Sequence, residues 1–258
     1  MTQRTVTGLN KVPEVTIAFW VIKILSTTVG ETVADFLAVQ AGLGATVTTA
    51  IMLAVLATVL WLQLRASRYI PWIYWLTVVL VSIVGTQITD ILTDRLEISL
   101  YVSTVAFGLA LMAVFALWYA SEKTVSIHTI VTMRRESFYW LAILLTFALG
   151  TAAGDLATEA LGLGFTLGVF IFGAMILVFA VAYYLGANAI LTFWLAYIAT
   201  RPLGASLGDL LSQSRTYGGL GLGTIYTSAA FLTVIACLVV FVTLRPPPDP
   251  TKQPWRPN

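Results

Sequence analysis

Long apolar runs alternate with short polar connections over most of the chain, up to residue 244. A run of about 20 apolar residues is long enough to cross ~30 Å of hydrocarbon as an α-helix. These runs do not alternate polar and apolar residues, as the strands of an outer-membrane barrel would. The pattern therefore predicts an all-α, polytopic membrane protein with eight transmembrane helices. The predicted spans are residues 15–38, 45–64, 72–94, 99–119, 138–159, 165–185, 190–212 and 222–244.

Every second predicted span carries one motif: an aromatic residue, Trp, nine residues, Gly, four residues and Asp. The tryptophans are Trp20, Trp75, Trp140 and Trp194, the glycines are Gly30, Gly85, Gly150 and Gly204, and the aspartates are Asp35, Asp90, Asp155 and Asp209. Identical spacing in four copies predicts one two-helix unit that is used four times. We call the helix with the motif the A helix of each repeat, and the helix after it the B helix.

The repeats divide the chain into consecutive segments. The predicted divisions are a tail at 1–12, repeat 1 at 13–66, repeat 2 at 67–120, a connection at 121–136, repeat 3 at 137–187, repeat 4 at 188–244 and a proline-rich, disordered tail at 245–258. Since each repeat has two spans, all A helices run in the same direction and the repeats are parallel. Whether the repeats close around one axis or pair as two halves is left open; the longer distance between repeats 2 and 3 favours two halves.

Basic residues are distributed unevenly between the two sides of the predicted membrane. Connections on the side of the termini hold Arg4, Lys11, Arg65, Arg68, Lys123, Arg134, Arg135, Arg245, Lys252 and Arg256, whereas the A-to-B connections hold Arg95 and Arg215. The positive-inside rule then predicts that both termini are cytoplasmic. A hydrophobic share of 59%, a charged share of 10% and a mean hydropathy of +0.90 exclude a soluble globular domain.

Polar side chains follow one face of each A helix, because residues four apart share a helix face. The carboxylates are Glu31, Asp35, Asp90, Asp94, Asp155, Glu159 and Asp209, and the other polar candidates are Lys23, Thr27, Thr28, Thr86, Thr151 and Arg201. The B helices carry no ionisable residue except at their ends or as tyrosine. The A helices are therefore predicted to face a shared interior and the B helices to form an outer shell, since intramembrane charges turn away from lipid and mark functional sites.

The acidic residues predict a cation site in the half of the membrane opposite the termini. Like charges at i and i+4 repel unless a cation or a proton intervenes. The four motif aspartates, with Glu31 as a further ligand or titrating group, are the predicted metal ligands. Hard oxygen ligands suit Mg²⁺, Mn²⁺ or Ca²⁺, and one cysteine and one histidine are too few for a thiolate or imidazole site.

The remaining polar residues are assigned to the substrate pathway. Thr27, Thr28, Thr86 and Thr151 would supply weaker oxygen ligands, Lys23 and Arg201 would balance the site when it is empty, and Asp94 and Glu159 would lie along the path. Structural roles stay open: the aspartates as links between helices, Asp94 and Glu159 as solvated helix ends, and the two cations as counter-ions. The motif Trp is expected to anchor or pack the helix, and the motif Gly to let a neighbouring helix approach closely.

The fourfold pattern resembles the bacterial membrane proteins built of tandem repeats that are catalogued as domain of unknown function 347. The stretches KVPEVTIAFWVIKILSTTVGETVADF and RRESFYWLAILLTFALGTAAGDL carry the resemblance, which covers about residues 10–245. Those repeats have two transmembrane segments and a characteristic tryptophan. The resemblance implies a bacterial inner-membrane protein and no settled activity.

The sequence thus predicts a secondary transporter or exporter of a small cation, with a divalent metal such as Mn²⁺ or Mg²⁺ favoured and proton exchange as a coupling route. It is not expected to be an enzyme, to need a cofactor beyond a bound divalent cation, or to bind nucleic acid; its partners would be the bilayer and the cation, and its oligomeric state is left open. The alternatives are an ion channel, a non-transporting scaffold or sensor, and an intramembrane aspartyl protease with a shared-proton dyad.

Overall fold

The structure is a computed structural model that describes residues 10–40, 42 and 44–244. Within those residues the chain forms eight α-helices. Their bounds are α1 Ile17–Asp35, α2 Ala45–Arg65, α3 Pro71–Asp90, α4 Leu100–Glu122, α5 Met133–Asp155, α6 Gly164–Tyr184, α7 Ala189–Ser212 and α8 Thr224–Leu244. The A helices are α1, α3, α5 and α7, and the B helices are α2, α4, α6 and α8. The predicted disordered tail at 245–258 and most of the tail at 1–12 lie outside the described residues.

Helix starts follow from local side-chain chemistry. Thr16 caps α1 by accepting from the backbone N–H of Phe19, Thr132 caps α5 in the same way, and Asn188 caps α7 with two such bonds. Pro71 occupies the first turn of α3, where a missing N–H costs nothing. The cap at Thr132 starts α5 at Met133, so the prediction that this helix begins at 138 was wrong.

Seven of the described helices are long and apolar enough to cross a membrane, which fits a multi-pass membrane protein. The remaining predicted span, at 190–212, corresponds to α7, which has 24 residues but does not meet that criterion of apolarity. Its central sequence Thr-Arg-Pro-Leu-Gly-Ala-Ser-Leu-Gly-Asp is rich in small and polar residues. Helices α1, α5 and α6 surround α7, so most of its surface meets protein.

The four A helices form a closed ring. Helix α1 packs against α3 and α7, and α5 packs against the same two helices. Each B helix packs chiefly on the A helix of the next repeat: α2 on α3, α4 on α5, α6 on α7 and α8 on α1. More than half of the apolar stretch in each of α1, α3 and α5 is buried, against less than a quarter in the B helices. The preference for two separate halves was therefore wrong.

Three A helices change geometry directly after the motif aspartate. A π-helical turn follows at Phe36–Gln40, Ile91–Arg95 and Leu156–Ala160, whereas α7 continues as an α-helix to Ser212. The turns into the B helices then use positive φ: Gly162 and Gly164 adopt 70° and 71°. Repeat 2 has Glu97 in such a turn, and this residue itself adopts φ of 53°. Helical spacing alone therefore does not describe the residues beyond the aspartates.

Candidate functional site: an acidic cavity above a buried arginine

A cavity of about 360 Å³ opens at the end of the ring that carries the motif aspartates, which we call the Asp end. All seven carboxylates of the polar stripes line it: Glu31, Asp35, Asp90, Asp94, Asp155, Glu159 and Asp209. Asp94 and Glu159 are exposed at its mouth, while Asp209 is only 6% exposed. One lining residue, Arg95, is basic, and its guanidinium donates to Thr46 Oγ1 at 3.1 Å.

Most of the motif carboxylates in this cavity lack a partner. Asp35 accepts a hydrogen bond from Gln213 Nε2 at 3.2 Å, and Glu31 pairs with Arg201. Within the described part of the chain, the side chains of Asp90, Asp155 and Asp209 accept no hydrogen bond and form no ion pair. Buried carboxylates without partners are costly, so the site is arranged for a positively charged group.

The five predicted metal ligands line one cavity, but they are not arranged as one coordination sphere. Among residues 10–40, 42 and 44–244, no three side chains of the types His, Cys, Asp and Glu are placed to hold a metal ion. The physical reason is visible at Glu31, whose carboxylate is taken by a guanidinium of the protein itself. The other four carboxylates stand on four different helices around the cavity.

Arg201 lies directly beneath the cavity and reaches all four A helices. Its Nη2 donates to Glu31 Oε2 at 2.6 Å, to Thr151 Oγ1 at 2.7 Å and to Thr86 Oγ1. Its Nη1 donates to the backbone oxygen of Thr27 at 3.4 Å. Only 1% of the Arg201 side chain is exposed. A single guanidinium therefore ties α7 to α1, α3 and α5 at the centre of the ring.

The second buried cation, Lys23, lies two helical turns from Glu31 on α1 and makes a different set of contacts. Its Nζ stands 4.1 Å from the centroid of the Phe147 ring and 4.2 Å from that of Tyr197. It has no hydrogen-bond partner among the described residues, and no carboxylate of that part of the chain pairs with it. Aromatic faces therefore surround this Nζ, and the role of Lys23 in occupying or balancing the empty acidic site stays a prediction.

The predicted threonine ligands separate into two groups. Thr86 and Thr151 point their hydroxyls at Arg201, as described above. Thr27 and Thr28 instead donate to the backbone of α1 itself, at Ile24, and Thr27 also donates to the backbone oxygen of Thr200 at 3.2 Å. Neither Thr27 nor Thr28 lines the cavity. Thr86 and Thr151 do not line it either, and the role of the four threonines as weak oxygen ligands stays a prediction.

The opposite end of the ring, which we call the Trp end, is closed by the motif aromatic residues. The first aromatic residue of each motif packs on the tryptophan of the next repeat around the ring. The ring centroids are 5.6 Å apart for Phe19 and Trp75, 5.4 Å for Tyr74 and Trp140, 6.3 Å for Tyr139 and Trp194, and 5.6 Å for Phe193 and Trp20. The hydroxyls of Tyr74 and Tyr139 share a hydrogen bond at its centre. The tryptophans therefore pack between helices.

Each motif glycine lies where its helix meets the next helix of the ring. A Cβ at Gly85 would stand 2.7 Å from Phe147 Cβ, and one at Gly150 would stand 2.5 Å from Arg201 Cβ. Gly30 and Gly204 meet Ser82 and Thr27 in the same way. All four contacted residues lie eight positions before the aspartate of their own repeat. The glycines thus bring the four backbones close enough for the side chains of one layer to meet.

A second buried ion pair, at the Trp end, was missed by the sequence reasoning. Lys11 Nζ lies 2.7 Å from Glu136 Oε2, and Glu136 also accepts from Gln63 Nε2 at 2.9 Å. The Lys11 ammonium donates further to the backbone oxygen of Leu64 at 3.0 Å. Glu136 is the last residue of the predicted polar connection at 121–136. The sequence pattern therefore did not indicate that its side chain is buried. The pair fastens the N-terminal segment to the ends of α2 and α5.

Replacing Glu136 with glutamine is expected to lower the free energy of unfolding by about 2 kcal/mol, because a hydrogen bond to a charged group contributes roughly that much. Chemical unfolding of the purified protein in detergent micelles would measure it. Glu14→Gln changes an exposed carboxylate at the same end and should stay within about 0.5 kcal/mol of the parent. If Glu136→Gln and Glu14→Gln changed the free energy of unfolding equally, the Lys11–Glu136 pair would contribute nothing to stability.

The chain belongs to the family described as Repeat of Unknown Function (DUF347). The family model matches four times, at residues 18–69, 73–124, 138–187 and 192–245. Each match holds one A helix and the B helix that follows it. No curated protein matches the chain, and neither does any solved structure.

Proposed function

We propose that this protein spans a membrane and carries a small cation along the axis of its four A helices, with the acidic cavity as the site of uptake or release. The observation that carries this proposal is that the four motif aspartates and Glu31 line a single cavity at one end of the helix ring. Seven described helices long and apolar enough to cross a membrane support the membrane setting. Carboxylates inside such segments mark ion pathways.

The Trp end is the cytoplasmic end in this proposal, and the membrane is the inner membrane of a bacterium. The connections on the side of the termini hold an excess of Lys and Arg, and such an excess is typical of the cytoplasmic side of a membrane protein. The cavity then faces the outside of the cell. A cation leaving the cell would be released from it, and a cation entering the cell would be taken up there.

A carrier is favoured over a channel because the axis below the cavity is filled. Arg201 and Lys23 are each 1% exposed, and Tyr74 and Tyr139 are fully buried beyond them. A continuous pore would need all these layers to be open at once. In a carrier, the cation binds the carboxylates, Arg201 leaves Glu31, and the layers at the Trp end open afterwards. Arg201 occupies the cation pathway whenever the substrate is absent.

Divalent metals such as Mn²⁺ and Mg²⁺ are one class of substrate for this site. The carboxylates stand on separate helices and do not form a closed coordination shell, so such an ion would be held through its own water molecules. Mg²⁺ in particular loses water reluctantly and commonly keeps several water molecules in proteins. Protons carried on the carboxylates would provide the exchange. We assign no enzymatic activity to the site.

Uptake into proteoliposomes tests the proposal. The panel is Mg²⁺, Mn²⁺, Ca²⁺, Na⁺, K⁺ and an organic diamine, with a pH-sensitive dye inside the vesicles. We expect saturable flux of one cation that falls by about tenfold or more in Asp209→Asn, since a hydrogen bond to a charged group corresponds to at least that ratio. Glu97→Gln is the matched control, because Glu97 is an exposed carboxylate at the Asp end that does not line the cavity.

Three outcomes of this flux assay would contradict or change the proposal. If Asp→Asn changes at all four motif positions leave the flux at the parent rate, the cavity is not the transport site. If the parent transports nothing and these changes alter only thermal stability, the protein is a scaffold. Flux that does not saturate would assign a channel.

A further inference from the structure

We infer that the cavity takes an organic dication that carries two primary ammonium groups, such as a short alkyl diamine. This inference rests on the proposed function and names the substrate class of the same site. The carboxylates alone would suit many cations. Four further observations on the described residues select among them.

Glu31 lines the cavity and belongs to a cluster of oxygens that already holds a nitrogen donor. Three oxygens from three helices converge on the Nη2 atom of Arg201: Glu31 Oε2 at 2.6 Å, Thr151 Oγ1 at 2.7 Å and Thr86 Oγ1. An alkyl ammonium group has three N–H donors. It could therefore satisfy the same three oxygens when the guanidinium withdraws. The protein's own side chain shows which cation chemistry this position accepts.

A buried carboxylate without a partner lines the same cavity. Asp209 is 6% exposed and lines the cavity, and its side chain has no hydrogen bond or ion pair in the described part of the chain. Asp90 and Asp155 are half-buried, line the same cavity and are also unpaired in the described part of the chain. A buried unpaired carboxylate is costly. These aspartates are therefore suited to a cation that comes from outside the protein.

The carboxylates form two layers rather than one sphere. Asp94 and Glu159 are exposed at the mouth, and they lie in the π-helical turns that follow the aspartates of their own helices. No three acidic, His or Cys side chains of the described residues are placed to hold a metal ion. Two separated layers of negative charge suit two separated positive charges, such as the two ammonium groups of an extended four-carbon diamine.

Part of the cavity lining is apolar. Ala38, Val39, Ile91 and Leu100 line the same cavity. Apolar side chains offer a bare or hydrated metal ion no favourable contact, whereas burial of the methylene groups of an alkyl chain against them is favourable. The volume of about 360 Å³ lies within the range of small-molecule sites.

Isothermal titration of the full-length protein in detergent micelles tests the inference, with 1,4-diaminobutane as the probe. 1-Aminobutane, with one ammonium group, and the chlorides of Mg²⁺ and Mn²⁺ are the comparison ligands. We expect the diamine to bind at least about tenfold more tightly than the monoamine, as the second ammonium gains a charged hydrogen bond. Glu159→Gln should remove most of this preference, and Glu97→Gln should leave it unchanged.

The exposed position of Glu159 keeps the test independent of folding, since a change at an exposed site rarely disturbs stability. Equal affinity for diamine and monoamine, or a diamine preference that survives Glu159→Gln, overturns the inference. Saturable binding and flux of Mg²⁺ or Mn²⁺ that the diamine does not inhibit also overturns it, and leaves the proposed cation carrier standing. Absence of binding and flux for every cation overturns both.

Discussion

Replacing Arg201 with methionine is expected to lower the free energy of unfolding by about 3–5 kcal/mol, the usual effect of removing one partner of a buried ion pair. The Arg201 side chain is 1% exposed and that of Glu31 is 7% exposed, so the remaining carboxylate would lose its partner while it stays largely buried. Thr86 and Thr151 would lose their donor at the same time. Since whole domains are stable by only about 5–15 kcal/mol, the variant should be close to the limit of folding. Chemical unfolding in detergent micelles measures the change.

The double variant Glu31→Gln with Arg201→Met separates lost charge pairing from lost packing. It should be more stable than Arg201→Met alone, because no buried charge is then left without a partner. Arg134→Met is the matched control: Arg134 lies 3.6 Å from Glu122, and its side chain is 68% exposed. Exposed pairs contribute about 0–1 kcal/mol. If Arg201→Met and Arg134→Met had equal effects, Arg201 would not hold the ring together.

The regular spacing of the motif explains why much of the site could be predicted. Residues four apart follow one helix face, so seven carboxylates in register on the A helices had to point the same way if those helices met. The structure brings all seven to one cavity. The same spacing placed Gly30 and its three equivalents on another face, where the structure shows the close approach of neighbouring helices.

One residue of each A helix lies at the level of Arg201, and this layer could not be predicted because its four residue types are unrelated. Thr27, Ser82, Phe147 and Arg201 occupy the same position eight residues before the aspartate. Only closure of the ring brings them together, and closure depends on contacts between residues 50 or more positions apart, such as Arg201 with Thr151 at |i−j| of 50. No local pattern shows that one guanidinium reaches all four helices.

The π-helical turns after Asp35, Asp90 and Asp155 were missed for a different reason. No residue type specifies such a turn, and a continuous α-helix fits the apolar pattern equally well. π-Helical turns occur frequently at functional sites. Here they separate the layer of the motif aspartates from the mouth of the cavity, where Asp94 and Glu159 are exposed. The two-layer arrangement therefore depends on a feature that helical spacing does not show.

Introducing valine at Gly204 is expected to lower the free energy of unfolding by about 3 kcal/mol or more, the upper part of the range for overpacked sites. A Cβ at this position would stand 2.9 Å from the backbone nitrogen of Thr28 and even closer to the Thr27 side chain. A side chain can rotate away, but the backbone of α1 can move only if α1 and α7 separate. That separation would also carry Arg201 away from Glu31, so binding at the cavity should weaken together with stability.

Gly173→Val is the matched control for this change. Gly173 lies inside α6, and a Cβ there would have no neighbouring atom within 4 Å. Because valine has a higher helix propensity than glycine, this variant should be as stable as the parent or slightly more stable. Unfolding midpoints of the two variants, measured side by side in the same detergent, give the comparison. A Gly204→Val protein as stable as Gly173→Val would show that the motif glycines are not needed for close packing of the ring, and the repeated Gly would then need another explanation.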